Sequence, residues 1–556
     1  MRLAIAALFV TSPALAQNAA PGTGGDPLRE LMILPAFVNT ELPVLAMHGG
    51  NPEDTVLLFD GFELPHAFHL STTRSVLPPG SIETMEVLPS AFGVEYGRGS
   101  SVLALSSELG ELGSFGEVTV VDATARAVVR RRGTSKYGLR YEVATLRTAW
   151  AHEIRDPRYS GPATAEVFTD LIARLQMRLS TPWSIAASYF YTYDFNRFVV
   201  SSAYDSSKWR ASLAASPFSS LDPDRKQYGI DSRVEVVRLA DDAAGLTNVE
   251  WRLGQQTNSS RYTFTETFWR HDIAGWSSIA ANLSESLRAT AGLRVDNFDG
   301  DVATQPRASI VGKATDRWSL ALAAGAYRRP PDQPHEVEHD LNPERATHVA
   351  TGARYRDSRG GIDAFAYYID RSRLVIRDSQ GELRNTGLGT SLGIDLHAER
   401  REGRWFGAIS TALTRSKRFD YLRAAERPSE YEQPFRLDLI GAYYRKSLIV
   451  SARVQLASGL PYTPYDGAIY NSDADTWEPL YVPPLSARAP FHHQLDVRVD
   501  YRFRPTRRVT IDVFLDLHNA YRNRDPIAYR YSYDYSEHTA ITALPVFPFA
   551  GLRAYL

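Results

Sequence analysis

LDVRVDYRF, residues 495–503, alternates without a break: Leu495, Val497, Val499, Tyr501 and Phe503 interleave with Asp496, Arg498, Asp500 and Arg502. A period of two is what a β-strand with one apolar and one polar face requires. The same beat returns in IDVFLDLH (511–518), GLRVDNF (292–298), LGIDLHAER (392–400) and RLDLIGAYY (436–444). Roughly two dozen such candidate strands follow Gly116. Short turns join many of them, such as Ser358-Arg359-Gly360-Gly361 and Asp378-Ser379-Gln380-Gly381. Longer polar or Pro/Gly-rich stretches intervene at 151–169, 198–226, 328–345, 417–432 and 458–490.

A soluble sandwich also alternates, but it does not set so many aromatic rings into strands about ten residues long. Here 29 Tyr, 24 Phe and 9 Trp accompany a mean hydropathy of only −0.28. That balance suits side chains facing lipid, with interfacial rings, around a polar lumen. No segment offers the roughly 18 consecutive apolar residues of a membrane helix. In hydrocarbon every backbone amide must find a partner inside the protein, so strands cross a membrane only as a closed cylinder. The expected fold is therefore all-β, a large antiparallel transmembrane barrel of about 22 strands, with the long stretches on the extracellular rim. A barrel that wide is not filled by its own side chains, so it is open or holds a plug.

The start of the chain bears on both location and plug. Arg2, the apolar run Leu3 to Val10 and Ala14-Leu15-Ala16 read as a signal peptide over residues 1–16. The chain has no cysteine, so neither disulfides nor Cys-ligated metal takes part. Its 62 basic and 64 acidic residues nearly cancel, which points away from nucleic acid. Residues 17–115 remain for the plug and 116–556 for the barrel. Within the former, HGGNPEDTVLLFDGFELPHAFH (48–69) reads as a small hairpin turning at Asp60-Gly61, where glycine tolerates positive φ.

That stretch, with LRELMILPAF (28–37) and SIETMEVLPSAFGVEYGRGSS (81–101), resembles the plug domain of TonB-dependent outer-membrane receptors. The residues carrying the plug motif are Gly49, Gly50, Asp60, Gly61, Glu83, Glu86, Tyr96 and Gly97. The resemblance continues in NPERATHVATGARY (342–355), SGLPYTPYDG (458–467), HHQLDVRVDYRF (492–503), FLDLHNAYR (514–522) and the close FPFAGLRAYL (547–556). It implies a receptor in the outer membrane of a Gram-negative bacterium that imports a scarce solute such as a metal chelate or an oligosaccharide. Implied partners are outer-membrane lipid, the barrel-assembly machinery, an unidentified small solute and a TonB-type inner-membrane protein. Three features depart from the family pattern. QNAAPGTGGDPLRELM (17–32) holds no apolar-acidic box for TonB, His48 stands where an Arg is usual, and Leu556 replaces a final aromatic. EVTVV (117–121) resembles such a box but reads as the first barrel strand. The missing box motivates the alternative of a plugged barrel without active transport, serving surface assembly, adhesion or a structural role. An ungated porin is a third reading.

Other motifs weigh less. HEVEH (335–339) matches the zinc-protease pattern, but that chemistry needs a helix, and prolines at 330, 331, 334 and 343 deny one. An exposed loop is expected instead, with His335 and His339 as candidate ligand-facing groups. His66 and His69, near the plug apex, and Tyr462 join them. His492-His493 open a strand. Arg130-Arg131-Arg132 with Lys136 reads as a solvated turn between strands. Asp496, Arg498, Asp500 and Arg502 are expected to face inward as a charged lattice. No Ser-His-Asp set, phosphate-cradling loop or dinucleotide fingerprint has credible context, so neither an enzyme nor a cofactor is expected.

Overall fold

In the computed structural model the described residues are 9–10, 20–38, 44–69, 75–78, 82, 84–106, 113–121, 124–134, 139–150, 166–192, 195–222, 225–243, 246–263, 267–330, 341–377, 382–420, 425–465, 467–473, 475–480, 482–542 and 546–555. From Gly113 onward the wall strands form one antiparallel sheet in which each stave pairs with the next stave along the chain, while three short two-stranded sheets lie outside it. The last strand, Phe547–Tyr555, pairs with the first, Gly113–Val121, from Phe549↔Val121 to Tyr555↔Phe115. The sheet therefore closes on itself and has no edge. Ala425–Pro428 and Phe435–Arg445 both pair with Trp405–Asp420, so they complete one wall position, and the barrel counts 22 staves.

Alternation decides which way each stave faces. Along His492–Phe503, Asp496 and Arg498 are buried toward the lumen while Val499, Tyr501 and Phe503 are exposed outside. The charged lattice expected there is present: Arg498 bonds Asp500 at 2.7 Å and reaches Asp516 at 3.4 Å, and Arg502 pairs with Asp512 at 2.6 Å. Outside, a band of Leu, Ile and Val runs round the wall, among them Leu213, Leu253, Ile273, Leu322, Ile394, Leu413 and Leu515. Trp183, Trp209, Trp318 and Trp405 each open a stave at the end that also carries both barrel termini. They form an interfacial ring at that turn end.

The described residues between 20 and 106 fill the lumen. A five-residue helix, Pro27–Leu31, is capped by Asp26, whose side chain accepts from Leu28 N and Arg29 N. Thr55–Phe59 pairs antiparallel with Phe62–Leu64 and parallel with Ser101–Ser106, which in turn pairs with Thr84–Leu88. Asp60 and Gly61, at φ 50° and 85°, make the two-residue turn with both φ positive that suits strand twist. Phe59, Val87, Leu88, Val102 and Leu103 are wholly buried, and their core runs on into wall residues Ile172, Phe190, Phe365 and Ile369. Each such side chain contributes about 1.5–3 kcal/mol relative to exposure. The plug thus shares its core with the barrel rather than floating in it.

Four expectations need revision or fall outside the described residues. The stretch 198–226 is no rim loop: it holds the end of Phe195–Asp205, a turn at the termini end and Trp209–Asp222, because small Ser and Ala side chains alternate as well as larger ones. Arg130, Arg131 and Arg132 lie inside Thr124–Thr134, paired with Ala144, Val143 and Glu142, not in a turn; Lys136 lies outside the described residues. His335, His339, Glu83 and most of 151–169 also lie outside them. Of residues 1–16 only Phe9–Val10 is described, and it pairs with Val87 and Glu86.

Replacing Leu322, 51% exposed in the middle of the outer band, by Arg puts a charge into hydrocarbon. Leu322→Arg is expected to lower unfolding free energy by about 2–4 kcal/mol in phospholipid vesicles, measured by urea titration, with a far smaller loss for Arg404→Gln at the turn end.

Candidate functional site

The motif residues gather where plug meets wall. Gly93-Val94-Glu95-Tyr96-Gly97 is a tight turn in which Gly97 sits at φ 79°. Wall donors meet every carbonyl from Phe92 to Gly97 except that of Tyr96. Tyr327 OH donates to Phe92 O at 3.0 Å, Arg307 donates to Gly93 O at 2.5 Å and Gly97 O at 2.8 Å, Arg294 to Val94 O at 3.3 Å, and Arg233 to Glu95 O at 3.0 Å. Guanidinium suits this task because its rigid fork offers several donors and never loses its charge. Tyr96 OH donates to Glu86 at 2.7 Å, so two motif residues brace each other inside the plug. Arg98 ties the same turn to Glu63 in the hairpin and to Asp272 on the wall.

The glycine pair marks a second fastening. Gly49 has φ 66°, and a Cβ there would lie 2.6 Å from Ser416 Cβ. The space goes to a hydrogen bond from Ser416 Oγ to Gly49 O at 2.9 Å. Beside it His48 Nε2 meets Asp395 at 2.8 Å and its ring stacks on Tyr367 at 3.5 Å. Asp54 lies 3.2 Å from Arg418 and 3.9 Å from Arg371. Burial alone would push its carboxyl up, but Arg371, Arg418 and Arg329 outweigh that and hold it below the usual carboxylate value. Round the wall, Arg436 donates to Phe37 O at 2.5 Å and to Met32 O, Gly22 N donates to Asp516 at 2.8 Å, and Ser188 to Asp60 at 3.3 Å. His69 is buried with Nε2 3.0 Å from Asp170, so its ring is engaged by the wall. His66 is half-buried close by.

At the loop end a different chemistry prevails. The hairpins Ala468–Asn471/Thr476–Pro479 and Pro526–Tyr531/His538–Thr542 stand over the barrel mouth and join through Gly467 N to Tyr535 O at 3.2 Å. Tyr462 packs on Tyr529 at 4.7 Å, and Tyr465 meets Tyr531 and Tyr535 edge-on at 5.3 Å each. Partial burial, with Tyr529 and Tyr531 alongside, pushes the Tyr462 phenol up. An open cavity of about 390 Å³ lies among Tyr529, Arg530, Tyr531, Ser532, Tyr533 and Tyr535. None of these lining residues was singled out from sequence, only the neighbouring Tyr462; the every-second-residue tyrosines of YRYSYDYSEH (529–538) were a visible signal for them. The wall arginines that clamp the plug were hidden among many other inward charges. His492 and His493 open their stave, and contact Asp525 and Tyr521 rather than each other.

The profile of the family described as TonB dependent receptor-like, beta-barrel matches residues 117–520. The chain belongs to that family. Solved structures align with TonB-dependent receptor-like barrel and plug together: the siderophore receptor PirA from Acinetobacter baumannii (TM-score 0.76, 11% identity, 98% of this chain and 98% of that one), a mutant of the ferric enterobactin receptor PfeA from Pseudomonas aeruginosa in complex with enterobactin (0.74, 12%, 97% and 98%) and the ferric yersiniabactin uptake receptor FyuA from Yersinia pestis (0.69, 15%, 98% and 97%). No curated protein matches the sequence. Identities this low establish the fold. TonB-dependent receptors are outer-membrane receptors and transporters rather than enzymes, in keeping with the lack of credible catalytic motifs in the sequence.

Two outcomes follow from the fastenings. Arg307→Ala leaves the Gly93 and Gly97 carbonyls without their donor, so the opening free energy of the 92–98 turn falls by about 1–3 kcal/mol; amide exchange at Tyr96 to Arg98 then accelerates while barrel amides stay protected, and unchanged exchange there refutes the clamp. Because the Asp54 carboxyl is held below its ordinary value in the folded state, its stabilising effect is complete above the unfolded value of about 3.9 and is lost as pH falls through the folded one. Asp54→Asn should therefore destabilise the plug at pH 7 and make no difference at the acid end, read by proteolysis of the plug across pH.

Proposed function

We propose that this protein is a TonB-coupled receptor of a Gram-negative outer membrane that takes up a scarce solute such as a metal chelate or an oligosaccharide. In this reading residues 1–16 direct export, 17–115 are the plug and 116–556 the barrel. The turns at the termini end face the periplasm, and the tyrosine hairpins face outside. Aromatic faces, hydroxyls and a few charges lining an open cavity suit a bulky solute with both apolar and polar faces. One observation carries the proposal: the plug is fastened to the wall on all sides by hydrogen bonds that water could replace, while the cavity beyond it stays open. A plug held so can be released in place, and release needs work. A TonB-type partner gripping the N-terminal segment supplies it, and the barrel-assembly machinery and outer-membrane lipid supply the setting.

Deleting residues 17–115 should turn a closed protein into one with steady conductance in planar bilayers. Conductance that is equal before and after deletion overturns the plug's role. Energy coupling is tested separately: the intact protein should retain a TonB-type C-terminal domain in a pull-down, and failure to do so favours a plugged barrel that serves as a surface partner without active transport.

A further inference from the structure

The outer face of three adjacent staves carries a feature that neither solute uptake nor plug binding uses. Arg328 is the last residue but one of Trp318–Arg329, flanked by buried Tyr327 and Arg329, so its side chain points out of the barrel. Arg345, between buried Glu344 and Ala346, also points out, and the two arginines are direct cross-strand partners. Like charges placed opposite each other across a sheet are destabilising. On the next stave Arg345 pairs with Ser372, and the residue after it, Arg373, is left out of register by a bulge and held at φ 57°. A long side chain on a left-handed backbone stores strain, and bulges re-aim side chains. Here Asn385 holds the distortion by donating to Arg373 O at 3.0 Å. Arg345 and Arg373 both lie close enough to Arg328 to repel its charge. Among the described residues none of the three makes an ion pair; the nearest outward carboxylate on these staves, Asp370, stands opposite Thr347, two positions away. Among the described residues, three repelling cations and a strained backbone are held together with no ion-paired counter-charge.

Their height says what the counter-charge is. Trp318, 40% exposed, opens the same stave in the interfacial ring of the turn end. Ten residues further, at about 3.3 Å each and a tilt of about 40°, Arg328 stands roughly 25 Å higher, the thickness of the apolar band. Below the cluster on the neighbouring staves Val349 and Tyr368, paired and exposed, still belong to that band. The arginines thus sit at the outer headgroup level, facing lipid and away from the lumen. Guanidinium groups bind phosphate through paired, charge-assisted hydrogen bonds.

We propose that Arg328, Arg345 and Arg373 form a seat on the barrel's outer face for a phosphate group of an outer-leaflet glycolipid. The seat rests on the outer-membrane setting proposed above but not on transport, and its test uses no cargo.

The full-length protein is purified in detergent and offered, in native mass spectrometry, a diphosphorylated lipid A, the same glycolipid stripped of phosphate, or inorganic phosphate. The natural protein should retain the diphosphorylated lipid and not the stripped one. R328Q/R345Q/R373Q together should weaken retention by about a hundredfold, at roughly fivefold per charge, whereas Arg404→Gln at the turn end should not. Folding of each variant is read from heat-dependent gel migration, and Arg345→Gln alone, with about a fivefold loss, serves if the triple variant does not fold. Equal retention by natural and substituted proteins overturns the seat. Equal retention of the stripped glycolipid overturns its phosphate specificity, and displacement of the lipid by inorganic phosphate at equal concentration overturns the lipid as its source.

Discussion

Backbone amides in a membrane have no water to turn to, and the rest of the structure depends on that constraint. It forces the strands into a ring whose last member, Phe547–Tyr555, bonds the first. Ring closure with 22 staves leaves a lumen that side chains alone do not fill, so half of every stave faces something other than lipid. That half carries charge at low cost because the plug's backbone and water are there to meet it. The alternating LDVRVDYRF pattern is therefore the record of two solvents, one on each face.

The plug is held chiefly by arginines that reach carbonyl oxygens, with fewer contacts in which a wall carboxylate meets a plug side chain, such as Asp395 to His48 and Asp170 to His69. The distinction matters energetically. A buried ion pair broken at one partner leaves a costly charge, but a carbonyl released from Arg307 or Arg294 can be taken up by incoming water. Of the six carbonyls from Phe92 to Gly97, four are bound by arginines and one by the Tyr327 hydroxyl, which makes that turn a firm but exchangeable hold. The apolar core shared with Phe190, Phe365 and Ile369 acts differently. It has no exchangeable partner and keeps the plug from leaving by thermal motion alone.

The barrel and its strand faces were legible in sequence because period two is imposed by lipid along most staves. Asp60-Gly61, Gly49 and Gly97 were legible because a positive φ or a close approach leaves few residue choices. The stretch 198–226 misled because its many Ser and Ala residues leave little hydrophobic contrast to count. His69 suggested a ligand group from its position alone; only the fold brings Asp170, a hundred residues away in sequence, against its ring. The clamping arginines 233, 294 and 307 look like any other inward charge until the plug is in place, since what they bind is main chain and leaves no mark in residue type.

The wall is not equally tall all round. Staves such as Arg225–Ala243, Leu246–Thr263 and Leu383–Glu402 run to 18–20 residues, whereas Thr510–His518, Phe547–Tyr555 and Gly113–Val121 have 9 each. The surplus lies at the loop end: Trp405–Asp420 continues seven residues past the partner of Phe435 and there pairs with Ala425–Pro428. Between Leu448–Ala457 and His492–Phe503, and between Thr510–His518 and Phe547–Tyr555, two folded hairpins raise the mouth instead. A strand prolonged beyond lipid presents alternate residues to both sides and is stiff. A hairpin loop concentrates one residue type on a tip and can shift as a unit. Tyrosines on hairpins between the short staves thus set a folded aromatic surface beside a tall stranded wall at the same end of the barrel.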